Sequence, residues 1–174
     1  MDAPDQIPVT RFPLQQNRRY GDFSVHGFHH GLAILLDRKS AEAIVWDPLT
    51  GHDHLIPLPP RFGRYQNGYV KNAAVFCAAT EDGHVHGDCI MNPFKVVLMC
   101  DDYDKDHALC CLYESVSGVW GNTISLATTD RICDTRPGVI AGNSVFWLLD
   151  GGRILELDLE RQSLVVIEKP SNVG

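Results

Sequence analysis

The chain has 174 residues, 44% of them apolar and 21% charged, with a formal net charge of −7. That length suits one domain with one core, and the balance of apolar and charged residues excludes wholesale disorder. The negative charge argues against a nucleic-acid-binding surface, and no apolar run approaches the roughly 18 residues of a membrane span.

Residues 1–20 hold two prolines after the first few positions and scattered polar groups, and they read as an extended lead-in. Met1 to Arg11 lacks the basic start and apolar stretch of a signal peptide, so the expected location is cytoplasmic or nuclear. From residue 21 to 174 the pattern is one of short strands. Gly31 to Asp37 is an apolar run of strand length, and Ala43 to Trp46 brings β-branched and aromatic residues. Asp47-Pro48-Leu49-Thr50-Gly51 is a strong turn, because Pro48 presets one dihedral, Asp47 can bond its own backbone and Gly51 tolerates positive φ. His54 to Leu58 follows as a third strand, with Pro57 expected at an edge or end because it has no ladder N–H.

Arg61 to Tyr69 reads as a loop, and Asn72 to Ala79 as a strand that closes the first unit. Thr80 to Asn92 is a second polar loop. Phe94 to Cys100 is expected to begin the next unit, with Asp101 to Asp106 as a solvated charged hairpin tip and Ala108 to Tyr113 as the partner strand. A third unit starts at Val139 and runs through Ser144 to Leu149, Arg153 to Asp158 and Ser163 to Glu168. Helical periodicity is missing, and only Ser40 to Ala43 and Thr128 to Cys133 suggest a helical turn.

One phrase recurs: a strand, an acidic residue, a tight turn, a second strand. Its acids are Asp47, Glu114 and Asp158, spaced by 67 and 44 residues. The second spacing is that of one propeller blade, about 40–50 residues. The first is a blade plus an insertion over Arg61 to Asn92. A repeated hairpin that cannot bury its face alone implies stacking. The fold class expected is therefore all-β: antiparallel repeated hairpins forming a partial, about three-bladed, β-propeller-like array. The shared place of the three acids before a turn makes them turn caps rather than paired catalytic carboxylates.

The chemistry-bearing residues point away from catalysis. No Gly-x-Ser-x-Gly, phosphate loop or His-Glu-x-x-His occurs, so no catalytic residue and no cofactor are assigned. His84, His86, Asp88 and Cys89 are metal-ligand types, but paired ligands such as Cys-x-x-Cys are missing, and a polar loop is the expectation. The six cysteines mostly adjoin apolar strand residues and read as small buried hydrophobes, not disulfides. Adjacent Cys110 and Cys111 would face opposite sides of a strand. Trp46 and Trp147 read as core, Trp120 less so. Loops are where recognition would sit, and Arg61, Phe62, Arg64, Tyr65 and Tyr69 combine the residue types enriched in interface hot spots.

The chain also resembles a family. His30-Gly31-Leu32-Ala33-Ile34-Leu35-Leu36, Val45-Trp46-Asp47-Pro48-Leu49-Thr50-Gly51 and Leu55-Ile56-Pro57-Leu58-Pro59-Pro60 carry the likeness. So do His86-Gly87-Asp88-Cys89, Tyr113-Glu114-Ser115-Val116-Ser117-Gly118-Val119-Trp120, Gly142-Asn143-Ser144-Val145-Phe146-Trp147-Leu148-Leu149 and the stretch from Ile154 to Leu164. From about Phe12 onward it is similar to the kelch-like, F-box-associated β-propeller half of grass F-box proteins. The resemblance implies the substrate-recognition region of a cullin-based ubiquitin ligase, a non-enzymatic protein-interaction module for a target whose identity the residues do not give. No leucine-rich F-box stretch precedes Gly31, so a truncated product, splice form or excised piece is expected, and a Skp-type adaptor would bind only if an F-box is supplied elsewhere. The alternatives are a small ligand- or sugar-binding β protein, or a degenerate truncated duplicate without activity.

Overall fold

The computed structural model describes residues 23–37, 40–62, 68–78 and 89–169. They form three antiparallel sheets. The first runs β1 (Phe23–His29), β2 (Leu32–Asp37), β3 (Glu42–Trp46), β4 (Asp53–Pro57) in that spatial order. The second runs β5 (Gly68–Cys77), β6 (Phe94–Asp102), β7 (His107–Glu114), β8 (Val119–Trp120), with β9 (Ile124–Ala127) pairing the other half of β7. The third runs β10 (Val139–Ala141), β11 (Ser144–Leu148), β12 (Ile154–Asp158), β13 (Ser163–Ile167). The all-β expectation holds, and the stack of sheets is propeller-like but does not close into a ring.

The second sheet is the filling of the stack, and its side-chain alternation shows why. Val96, Leu98, Cys100, Leu109 and Cys111 pack against Ile34, Leu36, Val45 and Ile56 of the first sheet. Val97, Met99, Ala108, Cys110 and Leu112 point the other way, onto Val145, Trp147, Leu155 and Leu157 of the third. Cys110 and Cys111 thus lie on opposite faces, as a two-residue strand period requires. A strand buried on both faces has no polar side to show, so β6 reads as a continuous apolar run whereas β12 alternates. The outward face of the third sheet carries Val139, Leu148, Ile154, Val165 and Ile167, all exposed.

All six cysteines are free. Burial pushes the Cys100 thiol up to about 12 and raises the Cys110 thiol further, with the Asp101 and Asp102 charges adding to the effect at Cys100. Both thiols are held in the unreactive form.

Several expectations are corrected. The strand around Asn72 to Cys77 opens the second sheet instead of closing the first, because β5 pairs in register with β6 from Gly68↔Asp102 to Cys77↔Phe94. The stretch from Arg61 to Asn92 is therefore no simple insertion: it carries a full strand, and the extra length lies in the β5–β6 connection. Short 3-10 turns stand at Pro60–Phe62 and Cys89–Met91. The stretches 40–43 and 128–133 hold turns, bends and strand residues in place of a helical turn. Pro57 does end an edge strand.

Asp101 and Asp102 are not a solvated tip. They finish β6 in the interior, and the turn begins at Tyr103. The Ile132 N–H donates to the Asp101 carboxylate at 3.3 and 3.4 Å. Burial raises the Asp101 carboxyl above its ordinary 3.8, outweighing that hydrogen bond and the nearby Lys71 and Arg131 cations. The folded chain therefore holds this proton more tightly than the unfolded chain. Its stabilising contribution is full below 3.8 and is lost as pH rises through the raised value. Asp101→Asn keeps an acceptor for Ile132 and cannot ionise, so its stability relative to the parent should be constant below 3.8, improve as pH rises through the raised value and level off above it. Denaturation midpoints from pH 3 to pH 7 check this; a constant difference between the two proteins at all pH values would refute it.

Candidate functional site

Strand order and register sort the turns onto two rims. In each sheet the third-to-fourth-strand turn falls on the same rim: Asp47–Gly51, Ser115–Gly118 and Leu159–Gln162. The repeated acidic phrase is this turn, repeated in each sheet. Asp47 accepts from the Leu49 N–H at 2.8 Å, the Thr50 N–H at 3.3 Å and the Thr50 hydroxyl at 2.8 Å. Asp158 accepts from the Glu160 and Arg161 N–H groups at 3.0 and 2.8 Å. Glu114 departs from the pattern. Its turn closes through backbone, the Gly118 N–H donating to the Glu114 carbonyl at 2.9 Å, while its carboxylate meets Lys95 at 2.9 Å. A glutamate is one methylene too long to fold back onto the next two N–H groups as aspartate does.

The first-to-second-strand connections share this rim. In the first sheet it is the two-residue turn His30-Gly31, both at positive φ (48° and 81°), the backbone a tight hairpin needs. In the third it is Gly142-Asn143. In the second it is the long connection from Ala78 to Pro93, of which 79–88 lie outside the described residues. Between these connections opens a cavity of about 570 Å³. The first sheet supplies His29 and His30, the second Phe76, Cys77, Ala78 and Lys95, the third Ile140, Asn143, Leu159 and Glu160. The two imidazoles stand 3.7 Å apart between ring centres, and Asn143 donates to the Glu160 carboxylate at 3.4 Å. The lining thus mixes apolar walls with one ammonium, two imidazoles, an amide and a carboxylate. Such a surface holds a chain segment by many modest contacts. Residue types along the chain do not announce this cavity, because its contributors come from separate stretches of sequence.

The residues singled out from the sequence are elsewhere. Arg61 is exposed on the 3-10 turn, but Phe62 beside it is 3% exposed and packs in the core between the first and second sheets. Its apolar ring completes that core, so Phe62 is corrected from a contact residue to a packing residue. Arg64 and Tyr65 lie outside the described residues. Tyr69 stands opposite Asp101 in the β5–β6 register, on the other rim, and its side chain is likewise outside the description. That rim is ionic: Arg131 meets Asp106 at 2.8 Å and lies 4.7 Å over the Tyr103 ring, and Arg153 bridges Asp130 at 2.8 Å and Glu168 at 3.1 Å. The Arg153 hydrogen bond holds the Asp130 carboxyl below its usual value.

Trp46 and Trp147 are buried in separate clusters. Trp120 is half-buried and its indole donates to the Pro57 carbonyl at 2.8 Å, tying the second sheet to the first. Of the histidine-rich stretch only Cys89 is described, and it is buried. Among the described residues no three His, Cys, Asp or Glu side chains converge as a metal ion would require. No helix among them is long and apolar enough to cross a membrane, which says nothing of strands. Compared with known proteins, the chain matches no family model and no curated protein sequence.

Proposed function

We propose that this chain is a non-enzymatic protein-recognition module that grips a segment of a target protein in the rim groove, and that it serves as the substrate-recognition part of an F-box subunit of a cullin-based ubiquitin ligase. The observation that supports recognition is the groove itself: three sheets contribute to it, and rigid strands hold its turns. The ligase role rests on the likeness of the repeated phrases to the grass F-box-associated region. Its mechanism is proximity, since holding the target raises its effective concentration at a separate modifying enzyme.

The test is proximity labelling in plant cells with the 174-residue chain, an Asn143→Arg variant that fills the groove mouth, and an Arg61→Glu variant on the opposite side. The expected result is a set of labelled neighbours that includes ligase subunits' substrates, lost with Asn143→Arg and kept with Arg61→Glu. Retention of the same set by both variants removes the groove from the account.

A further inference from the structure

The third sheet ends in an open strand edge at β13. The Leu159 N–H donates to the Asn143 carbonyl at 3.0 Å, and that bond sets the phase of the ladder. Antiparallel partners alternate between hydrogen-bonded and non-bonded pairs. With the observed registers, Leu155 and Leu157 bond β11, so Ile154, Glu156 and Asp158 bond β13. Their partners there are Ile167, Val165 and Ser163. The N–H and C=O groups of Leu164 and Val166 therefore face away from the sheet. No backbone acceptor among the described residues takes either N–H.

The outer edges of the other two sheets are blunted. β4 ends in Pro57, whose carbonyl accepts from the Trp120 indole at 2.8 Å. The second sheet's outer edge is divided between the two-residue β8 and the short β9. β13 has none of the devices that protect an edge. Ser163-Leu164-Val165-Val166-Ile167 holds no proline and no charge, and its register with β12 has no bulge. Its outward side chains, Val165 and Ile167, are 46% and 40% exposed.

We propose that this edge pairs with the same edge of a second copy of the chain, antiparallel about a two-fold axis at Val165. Full overlap of the two strands sets that register. It puts Leu164 of each copy opposite Val166 of the other, and each of these pairs exchanges both backbone hydrogen bonds. Val165 then faces Val165 at the closer, non-bonded position, where cross-strand side chains meet. An isologous contact of this kind needs a patch that complements itself, and the strand ends supply it. Each end sets Glu160 and Arg161 of one copy against Glu168 and Lys169 of the other, so acid meets base and the junction has no net charge. The Arg161 side chain is 83% exposed with only a long 3.8 Å contact to Asp158, and Glu168 is 72% exposed. Two short strands bury less than the roughly 1,200–2,000 Å² of a standard interface, so the dimer is weak and forms as concentration rises. None of residues 163–167 lines the rim groove, and neither reading depends on the other.

The test is sedimentation velocity of the 174-residue chain from about 10 μM to about 1 mM, with amide hydrogen exchange on the same samples. Salt at about 0.15 M, with its screening length of about 8 Å, damps the repulsion between two chains of charge −7. The sedimentation coefficient should rise toward that of a dimer, and the Leu164 and Val166 amides should exchange several-fold more slowly at the top of the range than at the bottom. Val165→Lys keeps every ladder bond but sets two ammonium groups together on the axis, and it should stay monomeric. Ile154→Lys, on the same exposed face one strand inward, should dimerise as the parent does. A parent that stays monomeric, with both amides exchanging equally at every concentration, leaves the edge to a strand of another protein and overturns the second-copy assignment. A dimer that survives Val165→Lys overturns it too. Equal loss with Ile154→Lys would show that the sheet face, and not its edge, meets the second copy.

Discussion

Replacing Trp147 by alanine is expected to lower stability by about 3–5 kcal/mol, the usual cost of emptying a buried tryptophan site. The side chain is 1% exposed and joins Val145, Leu155 and Leu157 to the second sheet's Val97 and Met99. Losing it opens a cavity between two sheets that touch chiefly through side chains, so little backbone structure can close over it. Against a typical total of about 5–15 kcal/mol, that leaves the third sheet barely held. The phenylalanine variant should lose much less. The indole Nε1 is buried without a partner, so removing that N–H relieves a cost while most of the ring remains. The ring also sits hard against Gly138, where an added Cβ would lie 2.5 Å from Nε1 and 2.9 Å from Cε2. Urea denaturation of the two variants measures the contrast; equal losses would show that the ring's bulk is not what joins the sheets.

Asp47→Ala is expected to cost about 2–3 kcal/mol, and Glu114→Ala under about 1 kcal/mol, although the two occupy the same place in the repeat. Asp47 is buried and satisfies two backbone N–H groups and a hydroxyl that the turn would otherwise leave open. Glu114 offers its carboxylate to Lys95 in a partly exposed pair, and such pairs contribute little. Chemical denaturation of both variants, referred to the same baseline, orders them. A Glu114 variant as damaged as the Asp47 variant would mean that the shared position, and not the hydrogen bonds, sets the cost.

Local chemistry was legible along the chain. Turns announced themselves where a residue type has a single local use: Asp47 and Asp158 before tight turns, Pro57 at an edge. Strands were legible because apolar and β-branched residues cluster at strand length. The boundary between the first two units was misplaced because β5 lies between two long connections, and nothing local says which neighbour a strand will pair. Asp101 was misjudged for a similar reason. Four acids in six residues look solvated, yet strand pairing carries the first two into the interior.

The sites were hardest to see. Phe62 had the composition of a contact residue, but an aromatic is equally at home in a core, and only packing distinguishes the two. Asn72 sits in an apolar strand and gives no local signal; its buried amide is held by the Cys133 and Arg136 carbonyls of a distant loop. The sequence by itself determined the strands, the turn chemistry and the repeated hairpin, because these depend on residues within a few positions of one another. Only the tertiary structure decided which sheet lies in the middle, which turns share a rim and where the cavities open. Those outcomes depend on pairing and burial between residues tens of positions apart, which local chemistry permits in many arrangements and packing settles in one.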